Sequence, residues 1–509
     1  MRITNQIVSG NSLRNMQKSM QEVNKRTQQL TTGKKISRAS EDPVIAIRAL
    51  KLRTTVTQLE QYKGKNIPDA TSWYEITETS LDNITGKVNG INDYCVQGST
   101  DSFSTSDRSA IIDGLKQLRD MIFAEGNATY AGRYIFSGYK TDRSLVFVTT
   151  EDNTKYSYDI TQHFTADDLD TKNTVWNEID YTRLDGYLDG SDTYVQPNPE
   201  TVYRLNLGYD RIEQLNYKNE NVLTLKAKDA TGADIDLTGF NLTIKEAGDI
   251  DTYYEVGEDD INIIKETGEI VFGENVYNTI KTADDIEVTY ARKDFKADEL
   301  RPEHFFDCIQ YTEQPDGTIK TVEYEQPPEG QSIYYEVNFN QSVQVNTEGN
   351  KIINPKVGND INDLIYALQD MDEAEKAQKQ LKSMLEDPQY ANNDAAVNRI
   401  NQMLSDLDVE LAVKKENMQK KFSQNIKNFQ DYMNQLTAVQ SDLGSRMTKL
   451  SMIEVRVKEQ YASFKELKSV NEDTETDSAI IDFNEAGLVY ESALAATSNI
   501  MRKTLLDYI

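Results

Sequence analysis

The feature that most constrains this chain is a hydrophobic repeat that spaces apolar residues alternately by four and three positions over long stretches. In the C-terminal part it runs from Phe422 to Phe464 almost without interruption. This spacing keeps one face of an α-helix apolar and predicts a coiled-coil seam. Two seam positions, Gln440 and Glu454, are polar, and single polar residues at a seam limit slippage between paired helices.

The same repeat begins after Pro43 and continues to Gln97. Asp42 is placed to cap this helix, with Pro43 at the first position, where the missing N–H costs nothing. A helix of that length measures on the order of 80 Å, which a compact domain does not need and a rod does. Pro68 lies inside the repeat, and we expect a kink there rather than an end. After it, Ser106 is expected to cap a third helix.

The two ends of the chain carry weaker amphipathic patterns. The stretch Asp477–Ile509 contains no proline and repeats every seven residues, with Ala, Gly and Thr where a seam usually has Leu. Small seam residues bury little apolar area, so this helix needs a partner, and the first thirty or so residues offer one. The alternative is two ordinary amphipathic helices in one globular core. The predicted assembly interface comprises Ile3, Ile7, Leu13, Met16, Met20, Val23, Leu30, Phe483, Tyr490, Leu494, Ile500, Met501 and Leu505.

Between the helical parts, residues from about 145 to 355 alternate apolar and polar side chains with turn signals between the runs. Examples are Asn221–Lys226, Glu269–Phe272 after a Thr-Gly turn, and Ile286–Tyr290. Short strands at this spacing predict a β-sandwich or two small β-domains. The segment Gly132–Thr141 is expected to form a short strand, a glycine turn and another strand.

These patterns together predict an α+β multidomain chain. Its paired N- and C-terminal segments form a long helical coiled-coil rod, and a β-rich, sandwich-like outer domain is inserted between them. We expect three parts: a terminal helical layer (1–35 and 475–509) that is disordered in the free monomer, a rod domain with a short β-hairpin (36–145 and 356–474), and the insert (146–355).

Composition excludes several classes of protein. The net charge of −29 and the lack of a long basic run argue against a nucleic-acid binder. Only Cys95 and Cys308 are present, so no disulfide framework is expected. Hydrophobic runs fall short of the roughly 18 residues of a membrane span, so we expect no membrane insertion. The N-terminus has no apolar signal-peptide region, and we expect any export to use another route.

Sequence motifs and residues typical of catalytic, cofactor-binding or metal-binding sites are scarce. The sequence has no phosphate-binding glycine loop and only His163 and His304 as histidines. His304 and Cys308 are four residues apart and could share a helical face, but two ligands do not make a zinc site. The acidic segment Asp185–Asp192 lacks the spacing of an EF-hand and is better interpreted as a solvated loop. We therefore predict no enzymatic activity, no metal and no cofactor.

Three segments resemble the bacterial flagellins and their hook-associated relatives. They are Thr32–Pro43, Gly132–Gly138 and Leu443–Leu450, and the similarity covers about the first 145 and the last 150 residues. The Asp42-Pro43 step is more similar to hook-filament junction members, because filament flagellins typically have Asp-Ala-Ala there. The residues that match the family's motifs are Gly33, Arg38, Asp42, Pro43, Gly132, Arg133, Tyr134, Phe136, Gly138, Leu443, Gly444, Arg446 and Leu450.

The resemblance implies a structural component of the bacterial flagellum that is secreted by type III export and forms a layer at the hook-filament junction. It implies four kinds of partner: further copies of the chain in a tubular layer, a hook-side hook-associated protein, filament flagellin and an export chaperone. It also implies that Tyr335–Val343 is a return strand. Filament flagellin is the first alternative, and a surface adhesin with a ligand-binding β-insert is the second.

Overall fold

In a computed structural model of the protein we describe residues 5–99, 104–246, 248, 252–314, 316–327 and 330–502. The α-helices are α1 (Asn5–Thr32), α2 (Pro43–Gln61), α3 (Ile67–Gly98), α4 (Thr105–Glu125), α5 (Leu184–Asp189), α6 (Glu274–Ile280), α7 (Gly349–Ile352), α8 (Lys356–Glu386), α9 (Pro388–Ala391), α10 (Asp394–Glu472) and α11 (Thr476–Arg502). Long helices thus occupy both halves of the chain, as the repeats predict.

The strands lie between α4 and α7. They are β1 (Thr129–Tyr130), β2 (Arg133–Tyr134), β3 (Tyr156–Phe164), β4 (Asp170–Trp176), β5 (Asn198–Asn206), β6 (Ile212–Glu213), β7 (Thr224–Lys228), β8 (Asp234–Ile235), β9 (Asn241–Lys245), β10 (Asp260–Ile264), β11 (Glu269–Phe272), β12 (Asp285–Lys293), β13 (Asp307–Glu313), β14 (Ile319–Tyr324), β15 (Tyr334–Asn338) and β16 (Gln341–Gln344). The α+β class predicted from the sequence is confirmed.

The chain forms two compact units. The terminal unit comprises Met1–Thr71, Tyr335–Val343 and Arg446–Ile509, and the central unit comprises Ser72–Tyr334 and Gln344–Ser445. The sequence analysis divides the chain into a terminal layer, a rod domain and an insert, and expects the terminal layer to be disordered in the free monomer. This three-part division stays a prediction.

Helical backbone continues across Pro68, as predicted, but the perturbation differs from a simple kink. Residues Tyr62–Asn66 form a π-helical turn, and the N–H of Ile67 donates to the carbonyl of Tyr62, five residues back. A proline ring clashes with the carbonyl four residues before it and brings no N–H of its own. Widening the preceding turn from four-residue to five-residue hydrogen bonds relieves that clash without ending the helix.

The cap of α4 corrects the sequence prediction by two residues. Ser104, and not Ser106, is the N-cap: its hydroxyl accepts from the N–H of Asp107, and the Asp107 carboxylate accepts from the N–H of Ser104. Both hydrogen bonds join residues three positions apart, so the Ser104–Asp107 pair satisfies two backbone N–H donors at the start of the helix.

The first hairpin also differs from the predicted strand–turn–strand over Gly132–Thr141. Strands β1 and β2 pair antiparallel, with Tyr130 opposite Arg133, so the turn consists of Ala131 and Gly132. Both turn residues have positive φ, as a two-residue type I′ turn requires. The glycine turn therefore precedes Arg133, and the residues that follow β2 are not a second strand.

The central unit holds two sheets around one apolar core. The larger sheet runs β14-β13-β3-β12-β7-β8, with β6 also on β12, and the smaller runs β4-β5-β11-β10-β9. Pairing is antiparallel except between β9 and β10. Side chains of both sheets, such as Ile160 and Tyr290 from one and Ile263 and Phe272 from the other, belong to the same buried cluster. The predicted sandwich-like arrangement is thus one two-sheet body rather than two separate β-domains.

The segment that resembles a return strand has a different structure. The segment Tyr335–Val343 forms the hairpin of β15 and β16 rather than one return strand, because Asn340 adopts a positive φ of 53° and turns the chain. The Asp387-Pro388 step separates α8 from α9: Asp387 is extended and caps the short helix α9 by accepting from the N–H of Gln389.

His304 and Cys308 do not share a helical face, in contrast to the possibility that their spacing raised. His304 ends a short 3₁₀ turn and its Nε2 lies 3.1 Å from the carbonyl of Ser144, whereas Cys308 lies on β13. Burial lowers the pKa of His304 to about 4, so the imidazole is neutral at neutral pH. Both cysteines are buried and unbridged.

A buried ionic cluster joins the smaller sheet to two helices of the central unit. Arg204 on β5 is almost fully buried and donates to Glu269 on β11 and to Asp363 on α8, and its Nη2 lies 3.1 Å from Asp170 on β4. Lys421 on α10 also contacts Asp170. This cluster therefore fixes the smaller sheet on α8 and α10 through charged groups, of which Arg204, Glu269 and Lys421 are buried while Asp170 and Asp363 are partly exposed.

The pKa of Glu269 shows the balance of forces in this cluster. Burial alone would raise the pKa, but the charges of Lys172 and Arg204 outweigh burial and hold it well below the usual range. The carboxylate is therefore ionised, and its stability contribution depends on keeping its cationic partners in place.

We expect Arg204→Met to lower the free energy of unfolding by about 3–5 kcal/mol, because it leaves buried carboxylates without their shared cation. The matched control is Lys226→Met, which removes a solvent-exposed pair with Glu287 and should cost less than about 1 kcal/mol. Urea denaturation followed by circular dichroism measures both. Equal losses in the two variants would contradict a stabilising role for the buried cluster.

A second expectation concerns Asp360 on α8. Burial raises its pKa to about 6, while Tyr432 and Asn428 donate hydrogen bonds to its Oδ2 at 2.6 and 3.2 Å. An unfolded aspartate titrates near about 3.9. Between these values the folded state holds a proton that the unfolded state has lost, so this group makes folding less favourable as pH rises from 4 to 6.

Asp360→Asn keeps an oxygen acceptor and does not titrate. Its free energy of unfolding relative to wild type should therefore increase by up to about 3 kcal/mol between pH 4 and pH 7. Asp113→Asn, on an exposed position of α4, controls for the loss of one negative charge. Denaturation curves at a series of pH values give the difference, and a difference that does not change with pH would refute the assignment.

Candidate assembly surface

The two ends of the chain pair within the terminal unit. Helix α1 lies along α11, with Met16, Val23 and Leu30 partly buried on α1 and Phe483 and Tyr490 partly buried on α11. On α11 the face toward α1 also holds Ala479 and Thr497, which are buried. An ion pair of 2.7 Å between Arg26 and Asp482 joins the two helices. The pairing of the ends therefore uses the small and aromatic columns of the α11 repeat.

Other residues of the predicted interface remain open to solvent in the protomer. Leu494 is 48% exposed, and Ile7, Leu13 and Met20 are exposed as well. Of Ile500 and Met501 only the helical backbone is described, and Ile3 and Leu505 lie outside the described residues. That these residues contact neighbouring subunits stays a prediction.

The connector after α1 is held to the joint before α11 by backbone hydrogen bonds. Gly33 adopts a φ of +67° and ends α1, donating its N–H to the carbonyl of Gln29 at 2.9 Å. The N–H of Thr474 donates to the carbonyl of Gly33 at 2.9 Å, and that of Lys35 to the carbonyl of Glu472 at 2.8 Å. Positive φ favours glycine, so Gly33 both terminates the helix and presents its carbonyl to the returning chain.

Glu472 is the charged centre of this contact. Its side chain is only 4% exposed and accepts from Nε and Nη2 of Arg53, each at 2.7 Å. Lys34 lies 3.6 Å from it and also contacts Asp473. The last turn of α10, the connector and α2 are thus joined through one carboxylate, and we call the set Arg53, Lys34, Glu472 and Asp473 the latch.

The pKa values in the latch follow from these contacts. The hydrogen bonds from Arg53 hold the pKa of Glu472 below its usual range, and the hydrogen bond with Asp473 raises the pKa of Lys34. Because the folded-state pKa of Glu472 is depressed, the latch contributes its full stability above the unfolded value of about 4.3 and loses it as pH falls through the folded value.

The remaining motif residues near the N-terminus have local roles. The carboxylate of Asp42 accepts from the N–H groups of Val44 and Ile45 at 2.9 and 3.1 Å, so it is the N-cap of α2, and Pro43 is the first helical residue, as predicted. Glu41 accepts from the N–H of Ser37 at 3.1 Å. Arg38 is exposed, and its charge is one of the influences that lower the pKa of Glu41.

The second motif segment folds around β2 in the central unit. The guanidinium of Arg133 lies 5.0 Å from the ring centroid of Trp73, and the N–H of Tyr134 donates to the carbonyl of Thr141 at 2.8 Å. Phe136 is buried. Gly138 has a φ of +59°, and a Cβ added there would lie 2.3 Å from Oε1 of Gln331. This turn therefore requires glycine on both conformational and steric grounds.

The third motif segment lies on α10. Leu443 and Leu450 are both buried, Leu443 within the central unit and Leu450 within the terminal unit. Gly444 is exposed, and an added Cβ would meet open space. Arg446 is partly buried. The two leucines are therefore core residues, one in each unit.

Sequence reasoning missed the latch. Nothing in the sequence analysis paired the polar residues 34–41 with the acidic residues 471–476. The available signal was charge: two lysines, Lys34 and Lys35, follow the first helix, and the acidic pair Glu472 and Asp473 precedes the last one. Arg53 carried no signal of its own, because it lies on the polar side of a long repeat.

The described part of the chain also bears on two other kinds of site. None of its helices combines the length and apolar character that a bilayer crossing needs. Among the same residues, no group of three or more His, Cys, Asp or Glu side chains is arranged to hold a metal ion. The acidic segment predicted to be a solvated loop is helical over Leu184–Asp189 (α5), and after the helix Asp192 pairs with Arg183 at 3.0 Å.

We expect Glu472→Gln to open the latch, because hydrogen bonds to a charged group are worth about 1.5–3 kcal/mol and the amide loses that charge. Limited proteolysis of the folded protein should then cut at 33–42 and 473–475 roughly ten times faster. Glu459→Gln, an exposed position on the same helix, is the control. Unchanged cleavage at both segments would show that the backbone contacts suffice.

Comparison with known proteins identifies the N-terminal part of the chain. The model of the bacterial flagellin N-terminal helical region matches residues 3–141. The flagellar hook-associated protein 3 of Escherichia coli is 31% identical over 143 residues, which is 28% of this chain and 45% of that protein. The flagellin of Clostridium tyrobutyricum is 31% identical over 127 residues, 25% of this chain and 33% of that protein. The chain thus matches about half the length, or less, of these curated relatives.

Solved structures with similar chains include a putative flagellar hook-associated protein from Vibrio parahaemolyticus, with 12% identity and a TM-score of 0.37 over 85% of this chain and 99% of that one. The flagellar junction protein FlgL from Legionella pneumophila has 13% identity and a TM-score of 0.30 over 84% and 100%. The predicted similarity of the last 150 residues stays a prediction. Residues 3–141, which hold α1 to α4 and the first hairpin, are therefore similar to the bacterial flagellin N-terminal helical region.

Proposed function

We propose that this chain is a structural component of the bacterial flagellum that forms the layer between hook and filament. The observation that carries the proposal is the match of residues 3–141 to the flagellin N-terminal helical region, together with relatives named flagellar hook-associated protein 3. In the same region, α1 pairs with the last helix and leaves apolar side chains of both helices in solvent. Unpartnered apolar faces of this kind suit a subunit that is completed by its neighbours.

The proposed partners follow from that position. They are further copies of this chain in a tubular layer, a hook-associated protein on the hook side and flagellin on the filament side. An export chaperone and secretion by the flagellar type III route complete the proposal. The chain acts by assembly and has no enzymatic activity.

Filament flagellin is the second candidate, and the similarity to the flagellin of Clostridium tyrobutyricum favours it. The two candidates differ in abundance and position, because flagellin forms the whole length of a filament and a junction protein forms one short layer. The third reading, a surface adhesin whose β-rich part binds a ligand, predicts saturable ligand binding by the protein.

Immunogold electron microscopy of detached flagella separates these candidates. We expect label from an antibody against this chain at the hook-filament boundary only, because a junction layer is short. Label along the whole filament would identify a filament flagellin. Label on the cell body and none on flagella would refute a flagellar role, and a strain that lacks the chain is the control for antibody specificity.

A further inference from the structure

The pair of α1 and α11 has two outward faces of different character. Positions two residues from an inward-facing residue lie about 200° around an α-helix, on its opposite side. On α1, Arg14 and Lys18 flank the inward Met16 in this way. On α11, Ile481 and Glu485 flank the inward Phe483. Each helix therefore turns one face to its intramolecular partner and the other away from it.

The outward face of α1 is basic. Arg14 and Lys18 are exposed and lie one turn apart, and neither has an ion-pair partner among the residues that the structure describes. Ile7, one heptad before Arg14, is 54% exposed on the same side. The face thus combines two unpaired cations, their aliphatic stems and one apolar side chain.

The outward face of α11 is acidic and apolar. Ile481 and Leu488, seven residues apart, are 59% and 65% exposed. Glu485 lies between them on the same face and is exposed, and Asp477 is exposed one turn before Ile481. A solvated helix face explains the exposed carboxylates. It does not explain why the large aliphatic side chains of Ile481 and Leu488 are exposed on the same face.

We propose that the outward face of α11 in one copy docks on the outward face of α1 in a second copy. Charge complementarity selects this occupant: the acidic face carries Glu485 and the basic face carries Arg14 and Lys18. Within one copy, a basic residue of α1 already pairs with an acidic residue of α11, in the ion pair of Arg26 with Asp482. Ile481 and Leu488 then pack on Ile7 and on the stems of the two basic side chains.

This contact is heterologous, because two different surfaces meet. Each copy that joins through its α11 face leaves its own α1 face free for the next copy, so addition continues until a ring closes or a helical array grows. The inference rests on the proposed function, which requires copies of the chain to form a tubular layer. It goes further by naming which surfaces meet and by making charge the determinant of their pairing.

Two full-length charge variants test the contact. The first, Arg14→Glu/Lys18→Glu, makes the α1 face acidic, and the second, Glu485→Lys/Ser492→Lys, makes the α11 face basic. Ser492 lies two residues after the inward Tyr490 and is exposed. We expect each variant alone to remain monomeric in sedimentation velocity at concentrations at which wild type assembles. We expect an equimolar mixture to assemble, because each acidic face then meets a basic one.

The control is Lys449→Glu/Arg456→Glu, which makes the same change in net charge as the first variant at exposed positions of α10. It should assemble like wild type. Thermal melting by circular dichroism should be the same for all variants, because the substituted side chains are exposed.

Three outcomes overturn the inference. If both single-face variants assemble like wild type, the contact is wrong and the proposed function stands. If the mixture is as monomeric as its components while wild type assembles, the two faces do not meet each other. If wild type itself stays monomeric at every concentration and its antibody does not label flagella, both the contact and the proposed function fail.

Discussion

The return of the chain to its own start depends on one buried carboxylate. Glu472 is the last residue of α10, and its side chain is held by Arg53 of α2 and by Lys34 of the connector. Without these partners the carboxylate would lose its charged hydrogen bonds, each worth about 1.5–3 kcal/mol. The contact lies where α1 ends and α11 begins, so it holds together the adjoining ends of the two helices that pair.

The sequence predicted most of the helical architecture, because an apolar repeat is a direct consequence of burial on one helix face. The repeat found in α10 has buried residues where it was expected, at Phe422, Phe429, Leu436, Leu443 and Leu450. The polar seam residue Gln440 donates to Asp82 of α3 at 2.9 Å. That polar residues at the seam limit slippage between the paired helices stays a prediction.

What the sequence did not predict are features that depend on geometry across the chain. The π-helical turn before Pro68 is one of several ways in which a helix can relieve the clash between a proline ring and the carbonyl four residues earlier. An apolar repeat does not indicate which of these ways the chain adopts. The cluster around Arg204 joins residues from β4, β5, β11, α8 and α10, and no local pattern relates such distant positions. The latch is of the same kind, since Arg53 and Glu472 are 419 residues apart.

The composition of α11 explains why its helix pair is incomplete in one copy. The side facing α1 holds the small residues Ala479 and Thr497, whose burial removes little apolar area from water, and the partly buried Phe483 and Tyr490. Further apolar side chains are left in solvent: Ile480, Ile481, Leu488, Val489 and Leu494 are each about half exposed or more. Covering each would contribute on the order of 1 kcal/mol, since part of each side chain is already buried. Apolar side chains of α11 therefore remain available for further burial, and in the proposed contact a second copy covers Ile481 and Leu488.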